Sequence, residues 1–416
     1  MSTYLIIHCP VCFFGNFLYC SYQKGNTFTI GLLKNSEERE NNMCEMVYKN
    51  FKDEVKLSRL GMGNMRLPVR MGEEGEEINY EAAKAIINNA IKAGVNYFDT
   101  AYIYHGGESE VFLGKALKDY PRDSYYVADK FNYQANPDYR EQFAQQLERL
   151  QMDRIDFYLL HGVQDYFVSE ILDCGCISYF DQMKKEGKIR YFGFSFHGTL
   201  EALKKMLTVY NWDFVQIQLN YYDWLYEDVK ALYEILDTAG IPVMVMEPVH
   251  GGMLADLGPK ANGILKSAEP ENSIASWAMR WVKSLSRVQV ILSGMSDVKQ
   301  LEDNIATISH GNDISAEEEV LIAKAAFILR SNTAVACTKC RYCTPNCPMG
   351  LNIPYLLSQY NDAKISGIWR LGNLESVVGD KLPSACIACG SCASHCPQSF
   401  DIPMYMAELS EMMLQL

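Results

Sequence analysis

No apolar run in this 416-residue sequence is long enough to cross a bilayer, so no membrane-spanning helix is predicted. Basic residues are fewer than acidic ones. The chain has 38 Lys and Arg and 51 Asp and Glu, which gives a formal net charge of −13. The basic residues form no long run or stripe, which argues against a nucleic-acid partner. An acidic surplus of this kind indicates a solvated surface.

Residues 1–45 lack the features that would assign them to a known kind of segment. The first 22 residues are apolar and aromatic, but no basic region precedes them as it would in a secretory signal. Cys9, Cys12 and Cys20 have no fourth ligand at a familiar spacing, which argues against a third metal site. We therefore expect a dispensable, poorly packed extension, either a flexible arm or the product of a start codon placed upstream of Met46.

From about residue 56 the chain contains a regular alternation of short apolar runs and amphipathic segments. The apolar runs predict strands at residues 57–63, 95–101, 124–131, 154–162, 189–197, 213–220, 241–248 and 288–295. Apolar spacing near 3.6 residues predicts helices at residues 79–94, 108–118, 137–150, 178–186, 200–207, 227–239, 274–283 and 298–308. Most of the strands are continuously apolar, which is typical of strands covered by helices.

Eight strand–helix units favour a closed (β/α)8 TIM barrel. A doubly wound sheet is the alternative, but no G-x-G-x-x-G motif follows the first strand. In a barrel the chemistry lies at the carboxyl ends of the strands. Polar residues stand at these ends, namely Asp99, Lys130, His161, Ser195, Gln218, Glu247 and Ser293.

Asp99, Tyr104, Lys130 and His161 at successive strand ends form a candidate acid–base set. A tyrosine has an ordinary pKa of about 10, and a nearby ammonium is expected to lower that pKa. A carboxylate would hold the ammonium, and an imidazole could orient a carbonyl or relay a proton. Taken singly, Asp99 could cap a turn and His161 could be a core histidine. Together they indicate catalysis.

These residues and their surroundings resemble the aldo-keto reductase family over roughly residues 46–310. The resemblance rests on FDTAYIYHGGESEVFLGKAL, VADKF, DFYLLHG, FGFSFH and VQIQLNYYD. It implies that Tyr104 is the general acid/base, that Lys130 lowers its pKa and that Asp99 pairs with the lysine. His161 would bind the oxygen of a small carbonyl or alcohol substrate, which exchanges hydride with a nicotinamide.

The resemblance also implies a nicotinamide site. Ser195 and Gln218 match residues that hold the carboxamide, although Phe196 replaces an asparagine and Met246 stands near the place of a stacking tyrosine. The loop and helix that grip the pyrophosphate and adenosine match residues 293–304, including Ser293, Gly294, Met295, Gln300, Asp303 and Asn304. The basic residues that hold a 2'-phosphate in some members are absent near these positions, so either NADPH or NADH is expected.

The last eighty residues contain the pattern C-x2-C-x2-C-x3-C-P twice, which is the bacterial ferredoxin pattern for two [4Fe–4S] clusters. On that pattern the fourth cysteine of each run serves the other cluster. The two ligand sets are then Cys337, Cys340, Cys343 and Cys396, and Cys386, Cys389, Cys392 and Cys347. Zinc bound by four thiolates is the alternative, but it usually takes two C-x2-C pairs. Thiolates of this kind must stay reduced, which predicts a cytoplasmic protein.

We therefore expect a barrel at residues 46–312, a linking helix at residues 313–333 and a small α+β ferredoxin-like domain at residues 334–416. The linking helix should begin with a capping box of Ser315 and Glu318. The leading hypothesis is a nicotinamide-dependent oxidoreductase whose clusters serve electron transfer, with a protein partner, or structure. The alternative is an electron-transfer or redox-sensing subunit whose barrel only binds nucleotide. No flavin signature is visible to convert a two-electron hydride into single electrons.

Overall fold

The structure is a computed structural model that describes residues 18–23, 27–32, 46–52, 55–72, 75–331, 333–366 and 368–416. The chain forms two compact units, Met1–Glu45 and Met46–Leu416. The first unit contains an antiparallel pair of strands, Leu18–Gln23 and Thr27–Leu32. Cys9, Cys12 and the side chain of Cys20 lie outside the described parts of the chain, so the prediction about a third metal site stays untested.

Eight parallel strands of the second unit close into a barrel, and each strand pairs with its neighbours in chain order. This confirms the predicted TIM barrel. The strands are β1 (Leu60–Gly63), β2 (Tyr97–Asp99), β3 (Tyr126–Phe131), β4 (Ile155–Val163), β5 (Ile189–Phe196), β6 (Phe214–Gln218), β7 (Val243–Met246) and β8 (Val288–Ser293).

Each of the eight predicted helices is present, with ends within two or three residues of those expected. The helices of the barrel region are α1 (Tyr80–Lys92), α2 (Glu108–Leu117), α3 (Tyr139–Leu150), α4 (Val168–Asp173), α5 (Cys176–Lys185), α6 (Leu200–Val209), α7 (Tyr221–Tyr226), α8 (Val229–Thr238), α9 (Pro259–Ala268), α10 (Ile274–Lys283) and α11 (Val298–His310). Side-chain caps fix several starts, since Asn79 accepts from the Ala82 N–H at 3.3 Å and Asp297 from the Gln300 N–H at 2.9 Å. Helices α4, α7 and α9 were not predicted; they lie in the loops that follow β4, β6 and β7 at the carboxyl end of the barrel.

The amino-terminal end of the barrel is closed by an antiparallel pair of strands, Tyr48–Asn50 and Lys56–Ser58. Phe51, between these strands, packs its ring 5.4 Å from Phe157 and 5.0 Å from Tyr191. Both partners belong to a buried apolar cluster that continues through the barrel interior. The amino-terminal end of the barrel is thus closed by packed side chains, so the carboxyl end is the one available for chemistry.

Helix α12 (Ala316–Ser331) leads from the barrel to the cysteine-rich module. It begins with the predicted capping box, because the Glu318 N–H donates to Ser315 Oγ at 3.2 Å and the Ser315 N–H donates to Glu318 Oε2 at 2.8 Å. The regular elements described in the module are helices α13 (Ile353–Ser366), α14 (Leu374–Val378), α15 (Ser391–Ser394) and α16 (Ile402–Met413).

The module has its own apolar core, in which Leu356 and Leu357 of α13 join Met406 and Leu409 of α16. These residues direct the apolar side of helix α13 into the module's own interior. A small α+β domain was expected here. Among the described residues of the module, the regular elements are helices, and irregular segments that carry the cysteines join them. These segments depart from strand geometry because residues such as Lys339 and Arg341 have positive φ, at 55° and 66°.

Within the described ranges, no helix has both the length and the apolarity needed to span a membrane.

Candidate active site

A cavity of about 360 Å³ opens at the carboxyl end of the barrel. That volume is within the usual range for small-molecule and cofactor sites. Ten of the twelve residues predicted to be catalytic or cofactor-binding line it, namely Asp99, Tyr104, His161, Ser195, Gln218, Ser293, Gly294, Gln300, Asp303 and Asn304. The strand ends therefore gather the predicted side chains around one space.

Lys130 lies beneath the cavity and is completely buried, although it carries a cation. Its Nζ donates to Asp99 Oδ1 at 2.6 Å and to the Thr100 carbonyl at 2.5 Å. Burial raises the pKa of the Asp99 carboxyl, and the Lys130 ammonium opposes that rise. Asp99 Oδ2 is buried without a hydrogen-bond partner among the described residues, so the carboxylate keeps one acceptor free beside the cavity.

Tyr104 follows β2 in a tight turn whose next residues, His105 and Gly106, have positive φ. The turn places its ring 4.9 Å from Lys130 Nζ, measured to the ring centroid. The expected lowering of the Tyr104 pKa is not what this structure shows. Burial raises the pKa of the phenol well above 10, and the neighbouring Tyr342, Asp99 and Glu247 add to the rise. Tyr104 is therefore protonated at neutral pH.

His161 lies near the carboxyl end of β4, where the pairing with β5 shifts register between Leu160 and Val163. An irregularity at a strand end re-aims the side chain there, and the His161 ring lies 5.8 Å from the Tyr104 ring, nearly perpendicular to it. Burial lowers the pKa of His161 well below 6.5, and the Lys130 charge lowers it further. The imidazole is therefore neutral.

The hydrogen bonds of Asn132 fix which nitrogen of His161 carries the proton. Asn132 Oδ1 accepts from the Ala135 N–H at 2.9 Å, so its Nδ2 is the atom 3.3 Å from His161 Nδ1. Because Nδ2 can only donate, Nδ1 is the acceptor and the proton resides on Nε2. His161 thus presents a neutral N–H donor to the cavity.

The side chains of the predicted cofactor residues differ in how far hydrogen bonds within the protein already engage them. Ser195 Oγ accepts from the Gly162 N–H at 2.7 Å, and Asn304 Nδ2 donates to Ser293 Oγ at 3.0 Å. Gln300 accepts from the Ser296 N–H at 2.8 Å, which shapes the loop before α11. Met295 is completely buried and does not line the cavity, so the binding role expected for its side chain is unsupported.

Two residues that the sequence did not single out also line the cavity. Arg66 lies against the Gly294 loop, since a Cβ at Gly294 would lie 3.2 Å from its side-chain carbons, and it forms an ion pair with Glu247 at 3.6 Å. Gln216 has a buried Oε1 without a partner among the described residues. Arg66 is thus a cation beside the Gly294 loop, and no local motif could have revealed it. The unpaired Gln216 and Asp99 oxygens fit the donor groups of a nicotinamide riboside.

The cysteine-rich module forms the roof of this cavity. Its lining residues there are Thr338, Cys340, Tyr342, Pro397 and Gln398. The Tyr342 hydroxyl lies 3.3 Å from His161 Nε2 and shares a hydrogen bond with the Tyr104 hydroxyl. Gln398 pairs with Gln218 through both amide groups, at 2.8 and 3.3 Å. The sequence placed these residues in a separate domain, so their presence in the active site was not predicted.

The cysteines of the first predicted set influence one another. Burial raises the pKa of the Cys343 thiol to about 12, and the proximity of Cys340, Cys337 and Cys396 contributes. Cys396 likewise contributes to the raised pKa of Cys337 and of Cys340. Cys396 comes from the second run, so the structure brings it to the three cysteines with which the ferredoxin pattern groups it.

The second predicted set, Cys347, Cys386, Cys389 and Cys392, lines one small cavity inside the module. Its other walls include Leu351, Ile353, Ile402 and Met406, which are apolar. In the described part of the chain, no group of three or more His, Cys, Asp or Glu side chains is placed to hold a single metal ion. Four thiols around a common apolar space are the donor set that a [4Fe–4S] cluster requires.

Comparisons with known proteins agree with this architecture. The sequence profile of the aldo/keto reductase family matches residues 59–324, and that of the 4Fe-4S dicluster domain matches residues 336–400. L-galactose dehydrogenase of Arabidopsis thaliana is 29% identical over 294 residues, covering 64% of this chain and 89% of the plant protein. The NADH-specific methylglyoxal reductase of Escherichia coli is 26% identical over 307 residues, covering 62% and 91%.

Solved structures share the barrel. The holo form of an aldo-keto reductase from Bacillus halodurans superposes with a TM-score of 0.56 and 25% identity, covering 68% of this chain and 96% of that one. An aldo-keto reductase from Klebsiella pneumoniae in complex with NADPH has a TM-score of 0.54 and 20% identity, with the same coverage. Because the family profile spans more than half of the sequence and the barrel superposes on solved members, this protein is an oxidoreductase that belongs to the aldo/keto reductase family.

Proposed function

We propose that this protein reduces a small carbonyl compound with NADH or NADPH, with Asp99, Tyr104, Lys130 and His161 as its catalytic set. The observation that carries the proposal is that the Tyr104 hydroxyl and the Nε2–H of His161 both reach one oxygen position, which the Tyr342 hydroxyl occupies. A nicotinamide supplies hydride when bound in the cavity. The Asp99–Lys130 pair lies directly beneath the two donors.

The protonation states of the two donors suit the reductive direction. The neutral His161 polarises the carbonyl and stabilises negative charge that develops on its oxygen. Protonated Tyr104 then gives its hydroxyl proton to that oxygen as the carbon accepts hydride, so the products are an alcohol and a tyrosinate. The buried Lys130 ammonium, 4.9 Å from the ring, stabilises this transient phenolate.

The cofactor preference stays open between NADH and NADPH. Arg66 lies beside the Gly294 loop and offers a guanidinium to an anionic group of either dinucleotide. The names of similar proteins point both ways, since the Escherichia coli relative is NADH-specific and the Klebsiella pneumoniae structure contains NADPH.

We further infer that the module at residues 334–416 holds two [4Fe–4S] clusters and that residues 313–333 link it to the barrel at residues 46–312. Cys337, Cys340, Cys343 and Cys396 would bind one cluster, and Cys386, Cys389, Cys392 and Cys347 the other. Such clusters supply one-electron transfer, with a protein partner, when they are not purely structural.

The proposed function predicts that Tyr104→Phe removes turnover. Wild type and variant, purified anaerobically with their iron, should be compared with NADH and NADPH against 4-nitrobenzaldehyde and methylglyoxal. The variant keeps the ring but loses the proton donor, so we expect a loss of kcat of at least about 100-fold. Cofactor binding, followed by fluorescence titration, should be unchanged. Equal rates in the two proteins would contradict the proposal.

The raised pKa of Tyr104 predicts an unusual pH dependence. Reduction needs the protonated phenol, whose pKa in the folded protein lies well above 10. The value of kcat/KM for aldehyde reduction should therefore stay level from about pH 6 to about pH 9 and fall only at higher pH. Alcohol oxidation should instead rise with pH, because it needs the proton removed. A reductive profile that falls near pH 7–8 would show that Lys130 lowers the phenol pKa after all.

A further inference from the structure

We propose that Tyr342, from the cysteine-rich module, occupies the position of the substrate oxygen, so that every substrate must displace its hydroxyl. This inference rests on the proposed carbonyl reduction, because it takes the two donors of that reaction as its reference. It makes Tyr342 a residue that determines substrate access to the barrel.

The hydrogen bonds around Tyr342 support this assignment. Its oxygen lies 3.3 Å from His161 Nε2, the nitrogen that carries the proton, and its hydroxyl shares a hydrogen bond with the Tyr104 hydroxyl. A bound carbonyl oxygen would accept hydrogen bonds from the same two groups. The Tyr342 hydroxyl thus engages the two groups that the substrate oxygen needs.

The loop that carries Tyr342 is held on the barrel at several points. Arg66 Nη2 donates to the Thr338 carbonyl at 2.7 Å, and His250 Nε2 lies 3.0 Å from the Ala336 carbonyl. Arg341, next to Tyr342, pairs with Glu76 at 2.9 Å. Gly251 packs so closely that an added Cβ would lie 2.0 Å from the Thr338 oxygen. The backbone is therefore anchored, and the Tyr342 side chain is the part that can turn aside.

The position of Tyr342 in the sequence links substrate access to the cysteine-rich module. It lies between Cys340 and Cys343, two proposed ligands of one cluster, and Cys340 itself lines the cavity. A second module residue behaves in the same way, because Gln398 pairs with Gln218, the residue expected to hold the nicotinamide carboxamide. Tyr342 and Gln398 of the module thus engage hydrogen-bonding groups of the barrel that the substrate and the nicotinamide would need. This favours compact carbonyl substrates, which need little space beneath the module.

The test is Tyr342→Phe in the full-length protein with its iron retained. Removing the hydroxyl frees both donors while the ring stays, so the KM for 4-nitrobenzaldehyde should fall about five- to tenfold with kcat within about twofold. Binding of benzoate to the NADP⁺-loaded protein, measured by calorimetry, should tighten by a similar factor, because a carboxylate oxygen accepts the same two bonds. Tyr355→Phe is the matched control, since this tyrosine packs against the module's own core.

The outcomes separate this inference from the proposed function. If Tyr104→Phe abolishes turnover while Tyr342→Phe leaves KM and benzoate affinity unchanged or weaker, Tyr342 does not compete with substrate and the inference is wrong. A large loss of kcat in Tyr342→Phe would also overturn it, because the phenol would then take part in the reaction. If Tyr104→Phe keeps full activity, the proposed function itself fails.

Discussion

Replacing Lys130 by methionine should lower the free energy of unfolding by about 3–5 kcal/mol. The ammonium is fully buried and lies 2.6 Å from Asp99, whose side chain is almost as inaccessible. Methionine fills similar space but leaves the buried carboxylate without its charge partner. Denaturant unfolding of the variant and the wild type, monitored by tryptophan fluorescence, measures the difference.

The double variant Asp99→Asn with Lys130→Met separates charge from shape. It removes both charges of this buried pair, so at least half of the lost stability should return. Turnover should not return, because the cation that stabilises the Tyr104 phenolate is still missing. A double variant as unstable as Lys130→Met would show that the cost came from packing, and one with restored activity would remove Lys130 from the catalytic set.

Replacing Cys396 by serine should halve the iron content, from about eight to about four atoms per chain. The structure groups Cys396 with Cys337, Cys340 and Cys343, so one cluster loses a ligand although Cys396 lies in the other sequence run. Tyr342 lies between two of these cysteines in the sequence, Cys340 and Cys343, so the variant should also change the KM for aldehydes. Iron and sulfide analysis under anaerobic conditions, with steady-state kinetics, measures both effects.

Two further cysteine variants provide the comparison. Cys347→Ser should remove a similar amount of iron. Its effect on KM should be smaller, because the cysteine set to which Cys347 belongs lines a cavity inside the module. Cys174→Ser, in the loop region before α5, should keep all of the iron. Full iron in Cys396→Ser, or a larger kinetic effect from Cys347→Ser, would contradict the proposed ligand sets.

The barrel was predictable because its signals are local. Each strand is a short apolar run and each following helix has its own apolar period, so the eight units could be counted along the chain. The parallel barrel then brings strand ends together whatever the loops do, and this placed Asp99, Lys130 and His161 near one another. Helices α4 and α7 were missed because helices of six residues depend on packing rather than on a repeated apolar period, and α9 was missed because it lies inside a long loop after β7.

The electrostatics of the site could not be predicted in the same way. The sequence shows that a lysine and a tyrosine are near each other, but not how deeply they are buried. Burial outweighs the ammonium at Tyr104, so its pKa rises when a fall was expected. Arg66 escaped notice for a related reason, because it is far in sequence from the Gly294 loop that it contacts.

The sequence by itself determined the barrel, the gathering of four candidate catalytic side chains and the cysteine spacing of the module, since each follows from local periodicity or fixed spacing. Only the tertiary structure decided that the module covers the active site and places Tyr342 on Tyr104 and His161. Contacts between residues some 180 positions apart depend on how two folded surfaces fit, and neither period nor spacing encodes that fit.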